Sequence, residues 1–97
     1  MYLKIHSTPN GDVVAICDAV LIGKILSQGK MRIDLEKYSG FYIGEKVEPE
    51  SAIAALRAAP NANIVGEKSL AAAKTAGLEV SGAIKIGGIP HLQLYRI

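Results

Sequence analysis

The sequence predicts an α+β fold in which a mainly antiparallel sheet carries two helices packed on one face. Three observations lead there. Two-residue alternation of apolar and polar side chains marks both ends of the chain, alanine-rich helical stretches fill its middle, and the order is strands, helices, strands. With 97 residues, 49% of them apolar and 5% aromatic, the chain has enough Val, Ile, Leu and Ala for one core, so residues 1–97 are read as a single domain.

At the amino end Leu3 and Ile5 alternate with Tyr2, Lys4 and His6, the pattern of a strand with one buried face. Val13 to Cys17 is a second β-branched run. The turn cluster from Ser7 to Asp12 contains Asn10 and Gly11, a pair that tolerates positive φ, so these strands are expected to form an antiparallel hairpin. Asp18 can cap a short helical turn through Leu21 and Ile22, ended by Gly23. Met31, Ile33 and Leu35 alternate with Arg32 and Asp34 as a third strand, and residues 39–44 are either a fourth short strand or an ordered loop.

Pro49, flanked by Glu48 and Glu50, opens a helix that reaches Ala59 and stops at Pro60. Alanine density from Ala62 to Ala76, with a stop at Gly77, reads as a second helix, although Gly66 inside it is unfavourable by about 1 kcal/mol relative to Ala. The rival parse puts a short strand at Ile64 and Val65 and starts the helix at Glu67. Val80, Ala83, Ile84 and Ile86 return to strand character, Gly87 to His91 reads as a loop, and Leu92 to Ile97 closes the chain as a strand.

Composition narrows the function classes. Eleven basic against nine acidic residues give a net charge of +2 with no basic run, a weak argument for nucleic acid. One cysteine cannot form an internal disulfide, which points to the cytoplasm, and no apolar run suits a membrane span or a signal peptide. Cys17 alternates with Ala15 and Val13 and is read as a buried structural thiol; a nucleophile at a helix start is the competing reading. No metal and no cofactor is expected, because the ligand spacings of zinc sites, GxGxxG and the P-loop are all missing. Glu45, Glu48 and Glu50 could hold a hard cation, but helix-start electrostatics explain two of them.

Several strings, taken in order, resemble a family of small archaeal proteins known as domain of unknown function 424. They are Leu3-Lys4-Ile5-His6; Cys17-Asp18 with Leu21-Ile22-Gly23-Lys24; Phe41-Tyr42 with Gly44-Glu45; Asn63-Ile64-Val65-Gly66-Glu67; and Gly88-Ile89-Pro90-His91 with Gln93. The resemblance implies an archaeal cytoplasmic protein and brings no catalytic residue with it.

Two constellations are candidate sites. Paired glycines before Pro90 could fix His91 in one orientation, and in the helical parse Asn63, Gly66 and Glu67 share a face. A loop folded over that face would bring Gly88, Pro90 and His91 to Asn63, Gly66 and Glu67, with Glu67 orienting His91. The competing structural reading has Gly66 allow close helix packing, Asn63 bond loop carbonyls and His91 donate to the backbone. The second constellation is an RNA-contacting face of Tyr2, Lys4 and His6 from the first strand with His91, Gln93 and Tyr95 from the last, provided those strands are neighbours. The expected function is a non-catalytic binding or interaction module for an unknown protein partner or RNA. The alternatives are an RNA- or ribosome-associated protein and a small hydrolase or transferase centred on His91. Open sheet edges also leave room for a homo-oligomer.

Overall fold

The computed structural model describes residues 1–59 and 61–95. The helix stop expected at Pro60 and the strand end expected at Arg96 and Ile97 lie outside the described residues. β1 (Tyr2–Thr8) and β2 (Gly11–Cys17) form the expected hairpin, with Thr8 opposite Gly11. Pro9 and Asn10 make the turn. The positive φ of 106° falls on Gly11 and not on Asn10, since Pro9 presets an ordinary first turn residue and glycine absorbs the left-handed one.

A 3-10 turn at Ala19–Leu21 leads to a separate two-stranded hairpin of β3 (Ile25–Gln28) and β4 (Met31–Asp34). Residues 39–44 are the ordered loop of the two options, with a second 3-10 turn at Ser39–Phe41, and β5 (Glu45–Lys46) then pairs with the outer edge of β1. The remaining elements are α1 (Pro49–Ala58), β6 (Asn61–Val65), α2 (Glu67–Thr75), β7 (Ile84–Ile86) and β8 (Ile89–Tyr95). The six-stranded sheet has the order β5-β1-β2-β6-β8-β7 and is antiparallel except for the β2–β6 pair. Two helices with a mainly antiparallel sheet make the fold α+β, as the sequence predicts.

Two expectations are corrected. The stretch from Ala62 to Ala76 is not one helix: Asn61–Val65 is an inner strand and α2 starts at Glu67, the rival parse. Every residue of β6 is buried because β2 and β8 flank it and both sheet faces are covered, so it shows no two-residue alternation. The Gly87–His91 string is not a loop either. Gly87 and Gly88, with φ of 60° and 80°, make a two-residue hairpin turn, and Ile89, Pro90 and His91 already belong to β8.

The sheet separates two cores. On one face Val14, Ile16, Ala62, Ile64 and Leu92 meet Ala52 and Leu56 of α1 and Ala72 and Ala73 of α2. Buried positions four apart, Ala52 and Leu56, give α1 its apolar stripe. On the other face Ala15, Cys17, Val65 and Ile86 are covered by Leu21, Leu26, Leu35 and Tyr42. Among the described residues no helix is long and apolar enough to cross a membrane.

Candidate functional site

Alternation along strands decides which side chains share the face away from the helices. Pairing sets Lys4 opposite Ala15, Ala15 beside Asn63, and Asn63 opposite Gln93, so Tyr2, Lys4 and His6 lie on the same face as His91, Gln93 and Tyr95. They are not neighbours, however: β2 and β6 stand between β1 and β8. The β3–β4 hairpin and residues 35–42 form a roof over part of this face. Lys4 Nζ donates to the Gly40 carbonyl at 2.7 Å, and His6 stacks on Phe41 at 4.2 Å while its Nε2 bonds the Phe41 carbonyl at 2.8 Å. Lys4 and His6 of the expected RNA face are therefore spent on holding the roof.

Between the roof and β6 and β8 lies an open cavity of about 770 Å³. Its floor is Asn63, His91, Gln93 and Tyr95, and its walls include Arg32, Asp34, Lys37, Tyr38, Phe41 and Tyr42. Two floor residues are fixed in orientation. The buried Tyr42 hydroxyl donates to Asn63 Oδ1 at 2.7 Å, which commits that oxygen and turns the amide as a donor toward the space it lines. Burial pushes the Tyr42 hydroxyl well above its ordinary pKa, so it stays protonated.

His91 Nδ1 bonds the Ile64 carbonyl at 3.0 Å. The carbonyl can only accept, so Nδ1 carries the proton and Nε2 of the neutral ring is an acceptor. Burial lowers the His91 pKa and outweighs the opposing effect of that hydrogen bond, which keeps the ring neutral near pH 7. This is the backbone bond of the structural reading, made inside a cavity.

Arg32 and Lys37 supply positive charge. The single acid among the described lining residues, Asp34, is already engaged: Oδ1 accepts the Lys37 and Glu36 N–H groups at 2.8 and 3.1 Å, and Oδ2 meets Arg32 at 3.5 Å. The Lys37 N–H above all holds the Asp34 carboxyl below the usual range. Tyr38 and Tyr95 keep 60% and 58% of their surface exposed at the cavity, and Lys37 Nζ stands 5.4 Å from the Tyr38 ring centre.

The remaining expected residues lie elsewhere. Glu67 is exposed in the first turn of α2 and does not line the cavity, and Gly88 is at the hairpin turn. Pro90 is buried, and its carbonyl accepts the Gly66 N–H at 2.9 Å. Gly66 is the N-cap of α2 at φ 115°, and a Cβ there would overlap the Asp18 carboxylate. Asp18, expected to cap the turn that follows it, makes no such bond; its Oδ1 accepts Ser69 N–H and Oγ at 2.8 and 2.7 Å and its Oδ2 accepts Lys68 N–H at 3.1 Å.

Cys17 is fully buried, its thiol is pushed up to about 12 by burial, and it donates to the Asp18 carbonyl at 3.4 Å, the structural role expected of it. Among the described residues no three His, Cys, Asp or Glu side chains gather where a metal ion would fit. The wall residues Arg32, Lys37 and Tyr38 were not indicated by the sequence reading. The usable signal was Tyr38, Phe41 and Tyr42 crowded around Ser39 and Gly40, an aromatic cluster in turn-forming sequence.

A family model described as "Protein of unknown function (DUF424)" matches residues 5–97, which span every floor and wall residue of the cavity. Among solved structures, the chain is similar to an uncharacterized conserved protein from Methanopyrus kandleri, with 28% identity and a TM-score of 0.80 over 99% of this chain and 93% of that one. None of the curated proteins matches it.

Proposed function

The chain belongs to the DUF424 family, and from that premise we propose that it is a non-catalytic binding module of the archaeal cytoplasm whose ligand site is the cavity over β6 and β8. The archaeal setting is supported by the Methanopyrus similarity, and the cytoplasm by a lone cysteine kept as a buried free thiol. The observation that carries the reading is the pair of locked polar groups, Asn63 held by Tyr42 and His91 held by the Ile64 carbonyl, on the floor of an open cavity. At about 770 Å³ the cavity matches the few hundred to about 1,000 Å³ of small-molecule sites. Preorganised polar groups among aromatic walls favour binding because little ordering remains to be done when the ligand arrives.

The neutral His91 Nε2 is also what a hydrolase or transferase would need of a base. The described lining residues contain no Ser, Thr or Cys beside it, so a covalent route through a side-chain hydroxyl of Ser or Thr or a thiol finds no nucleophile there. The test is a small-fragment library titrated into isotope-labelled protein and followed by amide and side-chain NMR. Fragments are expected to shift Asn63, His91 and Gln93 together. If the fragments that bind move only helix-face signals, or none moves the β6 and β8 floor, the cavity is not the site.

A further inference from the structure

Resting on that reading of the cavity, we infer that its ligand is a nucleotide unit, a base read by the floor with its phosphate held by the wall. The floor carries the argument furthest. Asn63 and Gln93 are direct cross-strand partners, and such residues place their Cβ atoms about 5 Å apart on one face. With Oδ1 taken by the Tyr42 hydroxyl, Asn63 offers N–H groups; His91 Nε2, one step along the same strand face as Gln93, offers a lone pair; and Gln93 offers both. Donor and acceptor a few ångströms apart on a flat surface complement the edge of a nucleobase, where the same alternation runs across the ring.

The walls fit the rest of the unit. Tyr38 and Tyr95 present rings that are more than half exposed, and such rings stack on bases. Arg32 and Lys37 are exposed cations at the same cavity; Asp34 Oδ1 is occupied by two backbone N–H groups and only its Oδ2 meets Arg32, through one nitrogen at 3.5 Å, which leaves the other guanidinium N–H groups available to a phosphate. Other ligand classes fit less well. A hydrocarbon would leave the floor amides and His91 desolvated without partners, and a sugar would find its one candidate carboxylate acceptor engaged. A free nucleotide and an unstacked nucleotide in single-stranded RNA share this chemistry.

The experiment titrates the full chain with the four nucleoside monophosphates, the matching nucleosides, inorganic phosphate, and short single-stranded oligoribonucleotides, reading the floor signals by NMR and affinity by calorimetry. At least one monophosphate is expected to shift Asn63, His91 and Gln93 and to bind more tightly than its nucleoside or phosphate alone. Gln93→Ala, at an exposed strand position, should weaken it about tenfold, the size of one good amide contact to a base edge. Arg32→Ala should weaken the monophosphate and leave the nucleoside unchanged; equal loss for both would overturn the assignment of the phosphate to this wall. An oligoribonucleotide that binds more tightly than every monophosphate identifies RNA as the source, and the reverse order identifies a free nucleotide. If fragments occupy the floor but no nucleotide, nucleoside or oligonucleotide does, the nucleotide assignment fails and the cavity reading stands. If neither fragments nor nucleotides reach the floor, both fail together.

Discussion

Asp18 holds the start of α2 from 51 residues away in the chain, and the reason is local to that helix. The N-cap is Gly66, which has no side chain, so the first N–H groups need an acceptor from elsewhere. Asp18, only 8% exposed, supplies one carboxylate to Lys68 and Ser69. Glycine is required in turn, because φ 115° with ψ 157° is a region other residues avoid and because the carboxylate occupies the place of a Cβ. Asp18→Ala should lower stability by about 2–3 kcal/mol, from a lost cap and buried donors left unpaired. Gly66→Ala should cost about 3 kcal/mol, from backbone strain and overlap together. Urea unfolding of the double variant checks the coupling: the Gly66→Ala penalty should shrink when Asp18 is Ala, since the overlap disappears and only the strained φ remains. Additive penalties would mean that the two residues do not meet.

At the scale of elements, strands that alternate apolar and polar residues were legible and the fully buried one was not. β1 and β4 are strands as their alternation predicts, but burial does not follow it: Ile5 and Met31, expected inside, are 52% and 41% exposed, while Lys4 and His6 are half-buried under the roof; α1 begins at a proline between acids. β6 carries its two asparagines and three apolar residues entirely inside, so its pattern could not distinguish strand from helix, and the alanines beyond it pulled the reading toward helix. His91 was singled out for a reason that fails, a loop leaning on Glu67; it lines the cavity instead, and the glycine pair before it is a hairpin signal. Gln93 and Tyr95 were placed on the correct face by alternation alone. The roof could not be foreseen, since its position depends on Lys4 meeting Gly40 and His6 meeting Phe41, 36 and 35 residues apart in the chain. Phe41→Ala should therefore speed hydrogen exchange in residues 35–44 and leave the β6–β8 pairing protected. Equal acceleration in both would show that the roof is part of the main cooperative unit.

For the whole molecule, stability should fall at both ends of the pH scale, and buried groups set where. On the alkaline side Cys17 ionises in the unfolded chain near its ordinary 9.0 but in the folded protein only at about 12. A raised folded pKa means that the unfolded state releases its proton first, so the contribution is complete below pH 9 and lost as pH rises toward 12. Each such proton costs about 1.4 kcal/mol per pH unit, and Tyr42, also raised by burial, adds a second above its ordinary 10.0. On the acid side the His91 pKa is depressed from 6.5, so below that pH the unfolded chain takes up a proton that the folded one resists, and stability falls. Asp34 and Glu79, held low mainly by backbone N–H groups, extend the loss in the same direction as pH passes through the carboxylate range. Urea midpoints across pH, with scattering to follow the Cα radius of gyration of 12.3 Å as it expands toward the roughly 30 Å of an unfolded chain this long, would trace the dome. Cys17→Ala should flatten the alkaline limb by about one proton between pH 9 and 11, and His91→Gln should flatten the acid limb just below 6.5. Unchanged slopes in both variants would place Cys17 and His91 in water and not where the two sides of this sheet hold them.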